Sequence, residues 1–125
     1  MKISKWWGPT IVWMVLIFFV SAQSQLPAPE TRWMDLVFEK SAHTFEFAVL
    51  GVLLLRALAP NEPPNRRAFC LALLLACSYA LSDEFHQRYV PGRSADWLDI
   101  LFDWLGATLG AYIMLRWRTT QFPAP

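Results

Sequence analysis

Four apolar blocks, each bounded by polar or proline-rich segments, constrain this chain more than any other feature. A bilayer core of about 30 Å requires about 20 helical residues, and blocks approaching that length are typical of membrane-spanning helices. Charged residues make up only 17% of the 125 residues, against 55% hydrophobic ones. A soluble domain carries about 25% charged residues. The sequence therefore predicts an all-α, polytopic membrane protein.

The blocks predict four transmembrane helices, over about 6–21, 38–59, 67–86 and 96–116. Because the connections between them are short, neighbouring helices are expected to run antiparallel in one bundle. The whole chain, residues 1–125, is interpreted as a single membrane domain.

The first block has an alternative interpretation. Lys2 and Lys5 precede its apolar run and Val20-Ser21-Ala22 follows it, as in a secretory signal peptide with its cleavage site. Cleavage there would reduce the number of spans but would leave the remaining three in the membrane.

Basic residues near the span ends predict the orientation of the bundle. With the amino terminus in the cytoplasm, the cytoplasmic side carries Lys2, Lys5, Arg56, Arg66, Arg67, Arg116 and Arg118, and the outer side carries Arg32, Lys40, Arg88 and Arg93. This excess predicts that both termini are cytoplasmic. Acidic residues gather on the outer side, which the topology rule does not explain, because acids contribute little to orientation. A net charge of +1 without a basic run gives no sign of a nucleic-acid partner.

Each helix after the first carries a polar stripe at its outer end. On the second helix, Glu39, His43 and Glu46 share one face at i, i+4 and i+7. On the other two helices the polar residues continue rows of small residues, which let helices approach closely in lipid. These are Asp83 and Gln87 beyond Ala72, Ala76 and Ala80, and Asp99 and Asp103 beyond Gly106 and Gly110. Stripes at one membrane depth predict a single polar pocket that opens outward.

Several of these residues also have a purely structural interpretation. Glu39, Lys40 and Asp96 lie near span ends, where charges often only mark the interface. Asp103 lies about two turns inside its span, and an intramembrane carboxylate costs several kcal/mol unless it is paired, hydrated or protonated, so it is a functional candidate. His43 is equally consistent with a structural hydrogen bond and with a functional role.

The two cysteines, Cys70 and Cys77, are interpreted as buried packing residues. They are separated by about 10 Å of helical rise, which is too far for a disulfide bond between them.

Two segments, 35–58 (DLVFEKSAHTFEFAVLGVLLLRAL) and 79–111 (YALSDEFHQRYVPGRSADWLDILFDWLGATLGA), resemble the VanZ-like family of small bacterial membrane proteins. The shared pattern comprises Lys40, His43, Glu46, Gly51, Tyr79, Asp83, Glu84, Gln87, Pro91-Gly92-Arg93, Asp99, Asp103, Gly106 and Gly110. The connection "SAQSQLP" is also similar to the family's, which favours a retained first span.

The resemblance implies a protein of the bacterial cytoplasmic (inner) membrane and cell envelope, related to the protein associated with teicoplanin resistance. It implies no particular cofactor, substrate or catalytic residue. The cofactor therefore stays unknown, and no metal is assigned.

The leading hypothesis is an envelope protein whose polar pocket binds an amphiphile such as a lipid-linked cell-wall precursor or a polyprenyl phosphate. Arg93 and Arg88 would hold the phosphate, because a planar guanidinium pairs bidentately with such oxygens. Carboxylates of the pocket, Asp83, Glu84, Asp99 and Asp103, would orient these arginines or recognise amide and sugar groups. An alternative gives Arg93 a structural ion pair with Asp83 or Asp99. The bilayer is the expected partner, and a homo-oligomer is left open.

Two other classes of function remain. A membrane enzyme would use the clustered carboxylates with His43 as base; alternatively, Glu46, Asp83, Glu84 and Asp99 would hold a divalent cation. The sequence contains no HExxH, serine-nucleophile or glycine-rich phosphate motif. A proton-coupled transporter would use the same acids, and with four spans it would need a dimer.

Overall fold

The computed structural model describes residues 5–23 and 32–121, and within these ranges all regular secondary structure is helical. The helices are α1 (Trp7–Ser21), α2 (Arg32–Leu58), α3 (Arg66–Gln87) and α4 (Trp97–Gln121). Helices α2, α3 and α4 are long and apolar enough to cross a membrane, and α1 is a shorter apolar helix. The predicted all-α class is confirmed.

Two helices are longer than the sequence predicted. Helix α2 begins at Arg32 instead of near residue 38, and α4 continues to Gln121 instead of ending near residue 116. In both places charged residues suggested a span end, but a helix satisfies its own backbone groups and does not stop where the side chains become polar. Exposed apolar residues such as Trp33 and Val37 continue the exposed apolar surface of α2 on the N-terminal side of its predicted start.

Local capping interactions mark where α3 and α4 begin. The side chain of Asn65 accepts a hydrogen bond from the Ala68 amide and begins α3, and Asp96 accepts from the Leu98 amide before α4. Between these helices, Pro91-Gly92 forms a tight turn with Gly92 at φ 82°, closed by the Arg93 amide on the Val90 carbonyl. A φ in this region favours glycine, because a side chain there would be strained.

The closest helix contact joins α2 and α4 through a glycine seam. A β-carbon on Gly106 would overlap the carbonyl oxygen of Thr44, and one on Gly110 would overlap that of Ala48. From the other helix, a β-carbon on Gly51 would overlap the carbonyl oxygen of Ala107. We define the glycine seam as Gly51, Gly106 and Gly110 with the backbone of Thr44, Ala48 and Ala107. Backbone therefore packs directly on backbone, as small residues permit in membrane helices.

Helix α3 contributes its row of small residues to the same core. Ala72, Ala76 and Ala80 are fully or almost fully buried. Two long-range hydrogen bonds attach α1 to this core: the Tyr79 hydroxyl donates to the Met14 carbonyl at 2.5 Å, and the Trp13 indole donates to the Glu46 carbonyl at 2.8 Å.

The interpretation of both cysteines as buried packing residues is wrong. Cys70 is exposed and Cys77 is half-buried. The buried face of α3 follows the alanine row, and Cys70 and Cys77 lie off that row beside exposed leucines such as Leu74. In a membrane bundle apolar residues also cover the lipid-facing surface, so apolar character does not indicate burial inside the protein.

Arginines at the end of the bundle where α2 and α4 end are held by backbone and aromatic groups. The buried Arg118 guanidinium donates to the Glu62 carbonyl at 2.8 Å, and the Arg56 guanidinium lies 3.7 Å from the centre of the Trp6 ring. We call this the basic end, and the opposite end, where α1 and α3 end, the acidic end.

Candidate functional site

The acidic end brings together all nine residues that the sequence proposed for a polar pocket. They come from α2, α3, α4 and the α3–α4 loop, and are Lys40, His43, Glu46, Asp83, Glu84, Gln87, Arg93, Asp99 and Asp103. Three further residues join them through contacts: Ser21, Glu39 and Asp96. We call these twelve residues the acidic-end cluster.

One part of the cluster joins the start of α4 to α2. The Lys40 ammonium contacts the carboxylates of both Asp99 and Asp96, the latter at 3.1 Å. One turn further along, His43 Nδ1 lies 2.8 Å from Asp103 Oδ1, and His43 Nε2 lies 4.0 Å from Asp99 Oδ2. Asp99 and Asp103 are each only 2% exposed and His43 is 6% exposed. Two buried acids are thus both matched by basic groups, as burial of charge requires.

The other part of the cluster joins α1 to α3 and to the loop. Asp83 accepts hydrogen bonds from the Ser21 hydroxyl at 2.5 Å and from the Gln87 amide at 2.9 Å. Arg93 bridges the two parts: its Nη1 donates to the Ser21 carbonyl at 2.9 Å, and its Nη2 lies 3.4 Å from Glu39 Oε1. The loop arginine thereby ties the end of α1 to α2. The ion pairs that the sequence suggested, to Asp83 or Asp99, are not the ones formed.

Two glutamates complete the cluster. Glu46 is half-buried and lies within range of the charges of His43, Asp83 and Arg93. Glu84 is 6% exposed, and its Oε1 has no hydrogen-bond partner among the described residues. Its carboxylate lies within range of the charges of Asp99 and His43. Glu84 is therefore a buried acid whose hydrogen-bonding capacity is not filled.

Carboxyl groups outnumber basic groups in the cluster. The acids are Glu39, Glu46, Asp83, Glu84, Asp96, Asp99 and Asp103, and the basic side chains are Lys40, His43 and Arg93. Asp96 lies just before α4, where the Leu98 amide and then Lys40 lower the pKa of its carboxyl and keep it ionised at neutral pH. The surplus of acids gives this end the capacity to attract cations or to hold protons.

The cation ligands suggested by the sequence are not the ones that the structure groups. Glu46, Asp83, Glu84 and Asp99 were proposed together, but among the described residues the set with ligand atoms close enough is Glu39, His43 and Asp99. Spacing along α2 places Glu39 and His43 on one face. It does not determine which residue of α4 faces them.

Ser21 is a cluster residue that the sequence did not identify. It appeared as part of a candidate cleavage site, yet its side chain is buried and donates to Asp83. Helix α1 is apolar on all sides, so its periodicity could not show which face is buried. Its only signal was a small hydroxyl residue at the helix end.

A protein-family model described as VanZ/LLP1 matches residues 6–118 of the chain. No curated protein and no solved structure matches this chain.

Proposed function

The chain belongs to the VanZ/LLP1 family, whose model covers nearly all of it, and from this premise we propose that its acidic-end cluster binds the head group of an envelope amphiphile. The ligand class is a lipid-linked cell-wall precursor or a polyprenyl phosphate, which combines a phosphate with a long apolar tail. The protein would lie in the bacterial cytoplasmic membrane with both termini in the cytoplasm and the acidic end outward. A role in glycopeptide (teicoplanin) resistance would follow from binding such a precursor.

The bridging position of Arg93 carries the proposal. Its described contacts use one donor on each terminal nitrogen, which leaves further guanidinium N–H groups for a ligand. A planar guanidinium suits two phosphate oxygens at once. Arg88, exposed directly after α3, adds a second positive charge near the same end.

Aromatic residues around the acidic end support a location at the membrane surface. Phe38, Phe85, Tyr89 and Trp97 are all largely exposed. Tryptophan and tyrosine side chains concentrate at the level of lipid head groups. A cluster at this depth is accessible to the head group of an amphiphile whose tail remains in the bilayer.

The test is binding of undecaprenyl phosphate to the protein in nanodiscs, measured by native mass spectrometry in the presence of a chelator. We expect Arg93→Ala to weaken binding at least about tenfold, and Arg93→Lys to weaken it nearly as much, because an ammonium cannot pair bidentately. Arg67→Ala, which removes an exposed arginine at the basic end, is the matched control and should bind normally.

Thermal unfolding of each variant separates recognition from stability. If Arg93→Ala lowers the melting temperature but binds the lipid as wild type does, Arg93 is a structural bridge and the proposal is wrong. Equal loss in Arg93→Ala and Arg67→Ala would reduce the effect to bulk charge and would also contradict it.

The surplus of carboxyl groups favours a second candidate, a membrane enzyme acting on the same class of amphiphile. His43 lies between Asp99 and Asp103 and is the residue placed to act as general base. Release of inorganic phosphate from undecaprenyl diphosphate, abolished by His43→Gln and retained by His86→Gln, would support this candidate. Absence of release by the wild-type protein would remove it.

A further inference from the structure

We propose that Glu39, His43 and Asp99 form a binding site for a divalent transition-metal ion of the zinc type. One ligand atom from each of the three side chains lies within 4.8 Å of the others. Zinc holds nitrogen and oxygen ligands at about 2.0–2.2 Å in tetrahedral geometry, so neighbouring donors are about 3.4 Å apart. Shifts of about 1 Å or less at each side chain therefore bring all three donors into coordination distance.

The histidine is arranged as metal-ligating histidines are. Its Nδ1 is held by Asp103, while Nε2 makes no hydrogen bond among the described residues and points towards Asp99 Oδ2 at 4.0 Å. When Nδ1–H donates to Asp103, Nε2 presents its lone pair on the side of Asp99. A metal-ligating histidine almost always donates its other ring N–H to a carboxylate, a backbone carbonyl or water, and this contact fixes the tautomer and the ring orientation.

Asp99 divides its two oxygens in a way that leaves one for a metal. Oδ1 contacts Lys40, and Oδ2 faces His43. The Lys40 contact holds the carboxylate in place, as a hydrogen bond to a ligating carboxylate does in known sites. Asp99 thus has the arrangement of a metal ligand: one oxygen is held by Lys40 and the other is available to the ion.

Glu84 gives an independent indication that this part of the cluster suits a cation. Its Oε1 is buried without a hydrogen-bond partner in the described chain, and its carboxylate lies within range of the charges of Asp99 and His43. The carboxylate accepts a hydrogen bond from the backbone of Asp96, but a buried carboxylate with one oxygen unpaired is unfavourable unless a charge compensates it. A divalent ion beside Asp99 would supply that compensation in a cluster that already holds more acids than bases.

The donor set determines the class of metal. One imidazole nitrogen with two carboxylates suits zinc or manganese, whereas magnesium and calcium prefer oxygen ligands alone. Three protein ligands also leave a coordination position open. This inference does not depend on the amphiphile proposal. Lipid binding is measured in chelator and therefore without zinc, so that one proposal can fail while the other holds.

The experiment is zinc binding to the full-length protein, purified with a tag that contains no histidine, stripped with chelator and reconstituted in nanodiscs. Isothermal titration and elemental analysis should give one zinc per chain. His43→Gln and Asp99→Asn are expected to weaken binding at least about 100-fold. Asp103→Asn, which alters only the support of His43, should weaken it about 10–100-fold.

The chain contains two histidines, and the second provides the matched control. His86→Gln removes a half-buried histidine on α3 that stacks on Phe18, and it should bind zinc as wild type does. If His43→Gln fails to fold, Co²⁺ absorption and X-ray absorption of the wild-type protein replace it, with one imidazole and oxygen ligands expected. The proposal would be overturned if the wild-type protein bound no stoichiometric zinc, or if a folded His43→Gln variant kept the wild-type affinity. It would also be overturned if His86→Gln lost as much affinity as His43→Gln, or if the bound metal had no imidazole ligand.

Discussion

Helices α2 and α4 meet in two neighbouring regions that are held together by opposite means. In the glycine seam the contact depends on missing side chains, because Gly106 and Gly110 admit the backbone of α2. In the acidic-end cluster it depends on charged side chains, with His43 between Asp99 and Asp103. Packing in the glycine seam is favourable and costs little desolvation. Burying the charges of the cluster costs much desolvation, which their mutual attraction must offset. The presence of charged residues in the cluster is therefore not explained by their contribution to the stability of the fold alone.

The two regions are also consecutive along both helices. Thr44, which contacts Gly106, directly follows His43, and Gly106 lies one turn after Asp103. The backbone contact at Gly106 consequently fixes the distance across which His43 and Asp103 pair. The glycine seam thus determines how closely α2 and α4 approach, and the pairing in the cluster depends on that distance.

The largest effect is expected from closing the seam with a side chain. Gly106→Leu would force its β-carbon into the Thr44 carbonyl, so the cost should exceed the roughly 1–3 kcal/mol of ordinary overpacking and prevent assembly of the bundle. Size-exclusion chromatography in detergent and thermal unfolding would measure it. Gly8→Leu is the control, since a β-carbon there meets no atom within 4 Å. Equal behaviour of the two variants would mean that α2 and α4 do not pack as described.

A smaller but still large effect is expected from removing one partner of the buried pair. Asp103→Leu leaves His43 with only the more distant carboxylate of Asp99, and breaking a buried ion pair costs about 3–5 kcal/mol. Unlike the seam, the cluster should be repairable: His43→Leu combined with Asp103→Leu should recover most of the loss, because no unpaired charge remains. A double-mutant cycle on thermal unfolding in chelator would show this. Strictly additive losses would contradict it.

A moderate effect is expected where α1 enters the cluster. Ser21→Ala removes a hydrogen bond to the Asp83 carboxylate, and such bonds contribute about 1.5–3 kcal/mol. Ser82→Ala on the exposed surface of α3 is the control and should be nearly neutral. Chemical unfolding of both variants would compare them. Similar small changes would indicate that α1 is not anchored through Ser21.

The smallest effect, and one that depends on pH, is expected at the start of α4. Asp96→Ala removes the helix cap on the Leu98 amide, which costs about 1 kcal/mol. Because the pKa of Asp96 is lowered in the folded protein, its stabilisation is present at neutral pH and is lost as the pH falls through that lowered pKa. Wild type and variant should thus differ in melting temperature at about pH 7 and converge at about pH 2. A constant difference across this range would contradict an ionised cap.

Some of this architecture follows from spacing in the sequence. The positions of Gly106 and Gly110 predict a close helix contact, and the four-residue steps of Ala72, Ala76 and Ala80 predict a small-residue face on α3. Spacing also places Glu39 and His43 on one side of α2. Each of these inferences needs only the period of a single helix.

The remainder depends on how helices are rotated and shifted against one another. No local pattern indicates that Thr44 meets Gly106, that Lys40 pairs with Asp99, or that Arg93 reaches Ser21. The misassigned Cys70 has a different cause, because lipid-facing and core-facing positions are both apolar in a membrane protein. Sequence patterns therefore identify which residues share a face of a helix. Which residues of the other helices they contact is determined only when the bundle assembles.

The length of α1 has a consequence for the surrounding bilayer. With 15 residues it extends over roughly 22 Å, about 8 Å less than a typical hydrocarbon core. If α1 crosses the bilayer, as the sequence predicts, this hydrophobic mismatch would be relieved by local thinning of the bilayer. Since α1 ends at Ser21, beside Asp83 and Arg93, the thinned region would fall on this flank of the cluster. Lipid head groups there would be drawn towards the buried charges from the side, so that access would be lateral, from within the leaflet.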